Sequence, residues 1–222
     1  MKLIIKTFAR HLANHLGYDI KSRGVWYKDQ QVARLIYFHK LVSNALRVEG
    51  SIVECGVGGG ESLILIKRIM QEYPDKSRCV FAFDSFEGFP ELSQHDTTGH
   101  AGYCKWDLDF VKKNLRNFLS EADVDSIKFR KGFFSDTLPD SKSDIDRIAF
   151  LHIDVDLYQS YIDVLENLYD LVSIGGVICF DEFLDQQEKW PGAVRAIQEF
   201  FVGKGQEFTR DAFAKRYYIV KQ

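Results

Sequence analysis

Hydrophobic positions fall into short apolar runs separated by longer stretches with helical spacing. The runs 51–56 (SIVECG), 79–84 (CVFAFD), 126–132 (SIKFRKG), 147–156 (RIAFLHIDVD) and 177–183 (VICFDEF) predict five strands. Residues 29–48, 62–73, 109–122, 160–172 and 191–203 predict amphipathic helices. Pro74 stops the second of these, and the last opens at Pro191 and ends at Gly203, as helices tend to. EFTRDAF (207–213) and KRYYIV (215–220) predict a closing hairpin. Strands alternating with helices predict an α/β protein whose mostly parallel sheet is covered on both faces. The nearly continuous apolar character of the middle strands agrees, since a doubly covered strand has no polar face. Residues 87–104 predict a long polar loop carrying His95 and His100.

In such sheets, ligands bind at the carboxyl ends of the strands. Four of the five ends carry acids here: Glu54 before Cys55-Gly56, Asp84 before Ser85, Asp154-Val155-Asp156, and Asp181-Glu182. Burying carboxylates costs several kcal/mol unless they are paired or liganded. The clustering therefore calls for a ligand with hydroxyls, a cation, or both.

Gly56-Val57-Gly58-Gly59-Gly60-Glu61 follows a strand and precedes a helix, where glycines let the backbone approach a nucleotide-like ligand. A dinucleotide fingerprint would put glycine at position 61, and Glu61 there would repel a pyrophosphate. No G-K-[ST] follows either, so the loop suits a ligand without phosphates; its bland reading is a structural turn. Asp84 lies 26 residues beyond Gly58, where a ribose-binding acid falls in these folds, although it could instead cap the next segment. Asp154 and Asp181 stand 27 residues apart and so share one edge of neighbouring parallel strands. Oxygen ligands without nearby His or Cys suit a hard cation such as Mg²⁺. Asp156 reads better as a cap for the following helix, His152 as a core group or one that supports the site from behind, and His95 and His100 as bases, substrate contacts or solvated loop residues.

Composition narrows the function classes. The 222 residues carry a net charge of −3 and are 45% hydrophobic, which excludes a disordered chain and gives no basic excess for nucleic acid. Cys55, Cys79, Cys104 and Cys179 form no C-x-x-C, so the expectation is reduced thiols in a cytoplasmic protein. No apolar run is long enough to span a bilayer. Ile5, Phe8, Leu12 and Leu16 recur at helical spacing in an acid-free segment. That stripe reads as a surface that packs on its own domain or a partner subunit, ahead of a membrane-surface helix or a transit peptide.

The motifs V-E-C-G-V-G-G-G-E-S (53–62), F-D-S-F-E-G-F-P-E (83–91), G-F-F-S-D-T-L-P (132–139), H-I-D-V-D-L-Y-Q-S (152–160), G-G-V-I-C-F-D-E-F (175–183) and W-P-G-A-V-R-A-I-Q-E-F (190–200) occur in this order. Together they resemble the macrocin O-methyltransferase family of class I S-adenosylmethionine-dependent methyltransferases, over roughly residues 50–220. The resemblance implies a Rossmann-like fold with a seven-stranded, mostly parallel sheet and a C-terminal antiparallel hairpin. Residues 49–222 would form the methyltransferase domain, with the helical segment 1–48 covering the acceptor site or building a homo-oligomer.

By the same resemblance Glu54, Gly56, Gly58 and Ser62 lie with the methionine part of S-adenosylmethionine, Asp84 with its ribose, Ser85 and Phe86 beside the adenosine, and Gly132 and Phe133 along the adenine. Asp154, Asp181 and Glu182 bind Mg²⁺, Asp154 also meets the cofactor, and it acts as base. Glu182 departs from the second aspartate common in the family and reaches one methylene further. The implied activity is methylation of a hydroxyl on a sugar or glycosylated small molecule, with no nucleic-acid or membrane partner. A catechol-type methyltransferase, a nicotinamide-dependent oxidoreductase and a non-catalytic cofactor-binding module remain as alternatives.

Overall fold

The computed structural model describes residues 29–73, 78–184 and 189–222. The N-terminal stripe at 5–16 and the stop at Pro74 lie outside the described residues. The chain divides into the units Met1–Val32 and Ala33–Gln222. The elements are α1 (Asp29–Ala45), β1 (Ser51–Cys55), α2 (Glu61–Gln71), β2 (Val80–Asp84), α3 (Leu108–Arg116), α4 (Glu121–Asp125) and β3 (Ile127–Lys131). They continue with α5 (Phe134–Ile145), β4 (Ile148–Ile153), α6 (Tyr158–Leu168), β5 (Val172–Leu184), α7 (Pro191–Phe201), β6 (Thr209–Arg210) and β7 (Arg216–Val220).

The strands form one seven-stranded sheet in the order β3-β2-β1-β4-β5-β7-β6. β1 to β5 pair in parallel, and β7 adds antiparallel to β5 with β6 outside it. The order reverses direction between β1 and β4, and that switch point is where a crevice opens above the carboxyl ends. Successive strand residues point to opposite faces, so Ile52, Ala82 and Phe150 join one core with α1, α2 and α3. Val53, Phe83 and Leu151 join the other core with α5, α6 and α7. All six residues of β4 are buried, as its central position requires. α1 contributes Tyr37, Phe38, Leu41, Val42 and Ala45 to the first core.

Local chemistry modified two expected elements and added one. The helix expected over 109–122 is two helices, because Asp107 caps α3 and Ser120 caps α4 by accepting from Asp123 N–H at 3.1 Å. α5 was not expected at all. It contains Pro139 and few apolar residues, yet Leu138, Ser141 and Ile145 make a buried stripe at helical spacing. β5 begins at Val172 rather than 177, with its register shifting where Gly175 and Gly176 lie. Among the described residues no helix is long and apolar enough to cross a membrane. Cys55 and Cys179 are buried, Cys79 is half-buried and Cys104 is exposed, all as free thiols.

Leu151 is fully buried at the centre of the sheet. Leu151→Ala is therefore expected to lower unfolding free energy by about 2–5 kcal/mol in urea titration. A loss below about 1 kcal/mol would contradict this packing.

Candidate active site at the carboxyl edge of the sheet

The ends of β1 and β4 meet through glycine. Gly56 has φ +84°, and a Cβ there would fall 1.8 Å from the Asp154 carbonyl oxygen. Asp154 N–H donates to Cys55 O and Gly56 N–H to Phe83 O, each at 2.9 Å. Any side chain at 56 would push the two strand ends apart. Asp84 organises the neighbouring turn. Its carboxylate accepts from Val57 N–H at 2.8 Å, Gly58 N–H at 3.3 Å and Phe86 N–H at 2.7 Å. Its carbonyl accepts from Gly132 N–H at 3.1 Å, which ties in the end of β3.

A cavity of about 430 Å³ opens above this edge. Of the residues expected to hold a cofactor, Gly56, Gly58, Asp84, Ser85, Phe133 and Asp154 line it. A second cavity of about 320 Å³ lies across the glycine loop and is lined by Ser62, Arg34, Trp106 and Asn114, among others. Gly58, Trp106 and Asp154 belong to both walls, so Asp154 sits where the two spaces join.

Three of the residues expected to hold S-adenosylmethionine stand off both walls, as do the expected metal ligands Asp181 and Glu182. Glu54 is fully buried and accepts from His152 Nδ1–H at 2.8 Å, so its carboxylate points into the sheet rather than at a ligand. Phe86 turns at φ +52° and packs on Phe129 in the core, leaving only its backbone N–H on Asp84. Gly132 has φ +142° and contributes a turn, with Phe133 beyond it forming the wall.

The long loop folds back over the edge instead of hanging free. Phe89 N–H donates to Tyr103 O and Gly102 N–H to Phe89 O, each at 2.9 Å, closing the loop at its base. Asp96 accepts from Tyr158 N–H at 2.9 Å, and so supplies the N-terminal bond of α6 that Leu157 cannot. The same Asp96 oxygen would lie 2.2 Å from a Cβ on Gly192, so α7 also packs against the loop through a glycine. His95 meets Arg195 at 3.1 Å and His100 meets Ala101 O at 2.9 Å; neither lines either of these two cavities. Cys104, Trp106, Gln159 and Asp163 do line the larger cavity and went unread in the sequence. Only the position of Gln159 beside D-V-D offered a signal for any of them.

Four carboxyl groups crowd the ends of β4 and β5. Asp154, Asp156 and Glu182 bring oxygens within 4.8 Å of one another, and His152, Asp154 and Asp181 form a second such group. The expected helix cap at Asp156 is replaced by Asp96, and Asp156 faces the larger cavity instead, at φ +61°. Burial and then the Asp181 charge push Asp154 up to about 6. Burial and then the Asp154 charge push Asp156 up to about 7. Burial and then Asp154 raise Glu182 well above the carboxylate range, and the Tyr161 hydroxyl bonds its carboxyl. Asp181 goes the other way: burial works against its charge, but the Arg216 guanidinium holds it below its usual value.

This donor set fits a hard divalent cation. Asp154, Asp156 and Glu182 offer only oxygen, and their mutual repulsion is what a bound cation would relieve. The expected ligands Asp154, Asp181 and Glu182 are split between the two groups, with Asp181 already engaged by Arg216.

An α/β sheet in this order, with a glycine turn and a cavity above its switch point, defines a class I, Rossmann-like methyltransferase fold. Solved structures agree. The O-methyltransferase NovP is 28% identical with a TM-score of 0.72, covering 86% of this chain and 80% of that one. The calicheamicin methyltransferase CalS11 shares the fold at a TM-score of 0.75 and 23% identity, covering 87% of this chain and 80% of that one. The chain belongs to the macrocin O-methyltransferase (TylF) family, whose model matches residues 22–207. Demethyldecarbamoylnovobiocin O-methyltransferase of Streptomyces niveus is 35% identical over 148 residues, 62% of this chain and 54% of that protein. Mycinamicin III 3''-O-methyltransferase of Micromonospora griseorubida is 31% identical over 163 residues, 68% of this chain and 62% of that protein. The chain thus spans less than two thirds of the length of either relative.

The raised acids set a pH dependence. Asp154 at about 6 and Asp156 at about 7 bind protons more tightly folded than unfolded. Their contribution to stability is therefore present at low pH and lost as pH rises through the folded values. With divalent ions removed, the melting temperature is expected to rise as pH falls from about 8 to about 6. Asn at both positions should flatten that slope, and an unchanged slope in the double variant would refute the assignment.

Proposed function

We propose that this protein transfers a methyl group from S-adenosylmethionine to a hydroxyl of a sugar or glycosylated small molecule, with Mg²⁺ at the acid cluster. The observation that carries this reading is the meeting of the two cavities at Asp154, beside the glycine turn and the converging carboxyls. Membership of the TylF family supports the cofactor. A further relative, the 8-demethyl-8-(2,3-dimethoxy-alpha-L-rhamnosyl)-tetracenomycin-C 4'-O-methyltransferase of Streptomyces olivaceus, 34% identical over 144 residues, supports a glycosylated acceptor.

S-Adenosylmethionine, when bound, supplies a methyl group already activated on a sulfonium, so no enzyme nucleophile is required. Gly56 and Gly58 would admit it close to the backbone, Asp84 and Ser85 would face its ribose and adenosine, and Phe133 would border the adenine. Ser62 lies on the methionine side of the glycine loop. Asp84 already accepts three backbone N–H bonds, which fixes its orientation and leaves roughly one acceptor site for a hydroxyl. Mg²⁺, when bound, supplies the positive field that favours the ionised form of an acceptor hydroxyl. Asp154 and Asp156 would hold it with Glu182, and Asp154 takes the acceptor proton. The folded loop lines the larger cavity through Phe89, Pro90 and Cys104, and would face the acceptor there. The helical segment 1–48 would cover the acceptor or join two subunits; its described part, α1, contributes Arg34 to the second cavity.

Calorimetric titration of S-adenosylhomocysteine, first in MgCl₂ and then in EDTA, is the primary test. Micromolar binding in both conditions is expected. Absent binding by folded protein would remove the cofactor, and binding of NADH instead would favour an oxidoreductase. Methyl transfer from labelled S-adenosylmethionine would then be followed on mycinamicin III, demethyldecarbamoylnovobiocin and catechol. Asp154→Asn is expected to cut turnover roughly 10²–10⁴-fold while leaving S-adenosylhomocysteine affinity within a few-fold. Full activity of that variant, or full activity in excess EDTA, would overturn the base and metal roles.

A further inference from the structure

A chain of charged and polar groups runs sideways through the sheet beneath the acid cluster. Glu54 on β1 accepts from His152 Nδ1–H on β4 at 2.8 Å, the two being paired in register. Because that carboxylate can only accept, the hydrogen is on Nδ1, which leaves His152 Nε2 facing Asp181 Oδ1 on β5 at 4.0 Å. From the far side Arg216, the first residue of β7, forms an ion pair with the Asp181 carboxylate. The same guanidinium donates to the Asp181 carbonyl oxygen at 2.7 Å. Both partners are about four-fifths buried, with side chains 20% exposed. A guanidinium held twice on one residue at that depth is positioned, not incidental.

The pairing separates Asp181 from its neighbours. Asp154 belongs to both candidate ligand groups, whereas Asp181 presents its Oδ1 to both Arg216 and His152. An arginine bound to one member of an acid cluster and a divalent cation bound to the others repel each other. Neither strand pairing nor the core requires arginine here, since the β7 residues that pack inward are Tyr218 and Ile219.

We propose that Arg216 is an internal counter-cation to Asp181 that competes with the divalent metal, so that Asp181 is charge-balanced when metal-free and the metal is held loosely. This rests on the metal reading above. It makes Arg216 a positioning residue: it touches neither cavity and acts through Asp181. Metal binding then moves the guanidinium away from the carboxylate or shares the carboxylate with it.

The test is Mn²⁺ titration, by calorimetry, of the full chain as wild type, Arg216→Gln, Arg216→Lys and Asp154→Asn. Arg216→Gln is expected to tighten Mn²⁺ binding about tenfold and Arg216→Lys to leave it near wild type. In EDTA the melting temperature of Arg216→Gln should fall, because a buried carboxylate loses its partner, and Mn²⁺ should restore more of it than wild type gains. A purely structural arginine would lower the melting temperature without tightening the metal. Unchanged or weaker Mn²⁺ affinity in Arg216→Gln that still binds S-adenosylhomocysteine overturns the proposal and leaves the metal reading intact. No Mn²⁺ binding by any of the four proteins overturns both. Should Arg216→Gln fail to fold, the wild type answers: the Arg216 Nε–H resonance, assigned by its loss in Arg216→Lys, is expected to shift on adding MgCl₂. A resonance that does not move overturns the proposal.

Discussion

Four carboxyl groups at the ends of two adjacent strands cannot all be charged in a half-dry space without something to hold them. Asp154, Asp156, Asp181 and Glu182 meet that constraint in different ways. Asp181 is neutralised by Arg216, Glu182 is buried against Tyr161, and Asp154 and Asp156 carry raised pKa values toward the cavity. The repulsion left over is what a bound cation would relieve under the metal reading proposed above. The surrounding elements serve this arrangement. β7 pairs with β5 and brings in Arg216, β1 brings Glu54 to fix His152, and α6 brings Tyr161 under Glu182.

A second constraint is backbone proximity. The crevice exists because the ends of β1 and β4 touch at Gly56, with no room for a Cβ, and because Asp84 draws the glycine turn toward β2. A carboxylate that accepts several backbone N–H groups is a rigid object, and rigidity is what a cofactor contact needs. The long loop is equally anchored, through Asp96 to the start of α6 and through Phe89 to Trp190. Phe89, Pro90, Cys104 and Trp106 therefore line the larger cavity beside an anchored loop.

Much of this was legible beforehand. The five apolar runs became β1 to β5, because a strand buried on both faces must be apolar throughout. The acids at strand ends stood out because nothing local explains a carboxylate there. Asp154, expected as base and metal ligand, lines both cavities. α5 escaped because Pro139 and a sparse apolar stripe hide a helix whose stability comes from packing on the sheet. Asp156 was read as a cap because the helix after it needed one, and the cap came from Asp96, 62 residues before the bond it satisfies.

The sequence by itself determined the sheet, its glycine turn and the set of acids at its edge, since periodicity and residue chemistry act locally. It could not determine which acid pairs with which cation, nor that Glu54 and Phe86 face inward. Those outcomes depend on residues distant along the chain, such as Arg216 with Asp181 and His152 with Glu54. Only the folded sheet brings their charges close enough, in a medium dry enough, for the interaction to decide the arrangement.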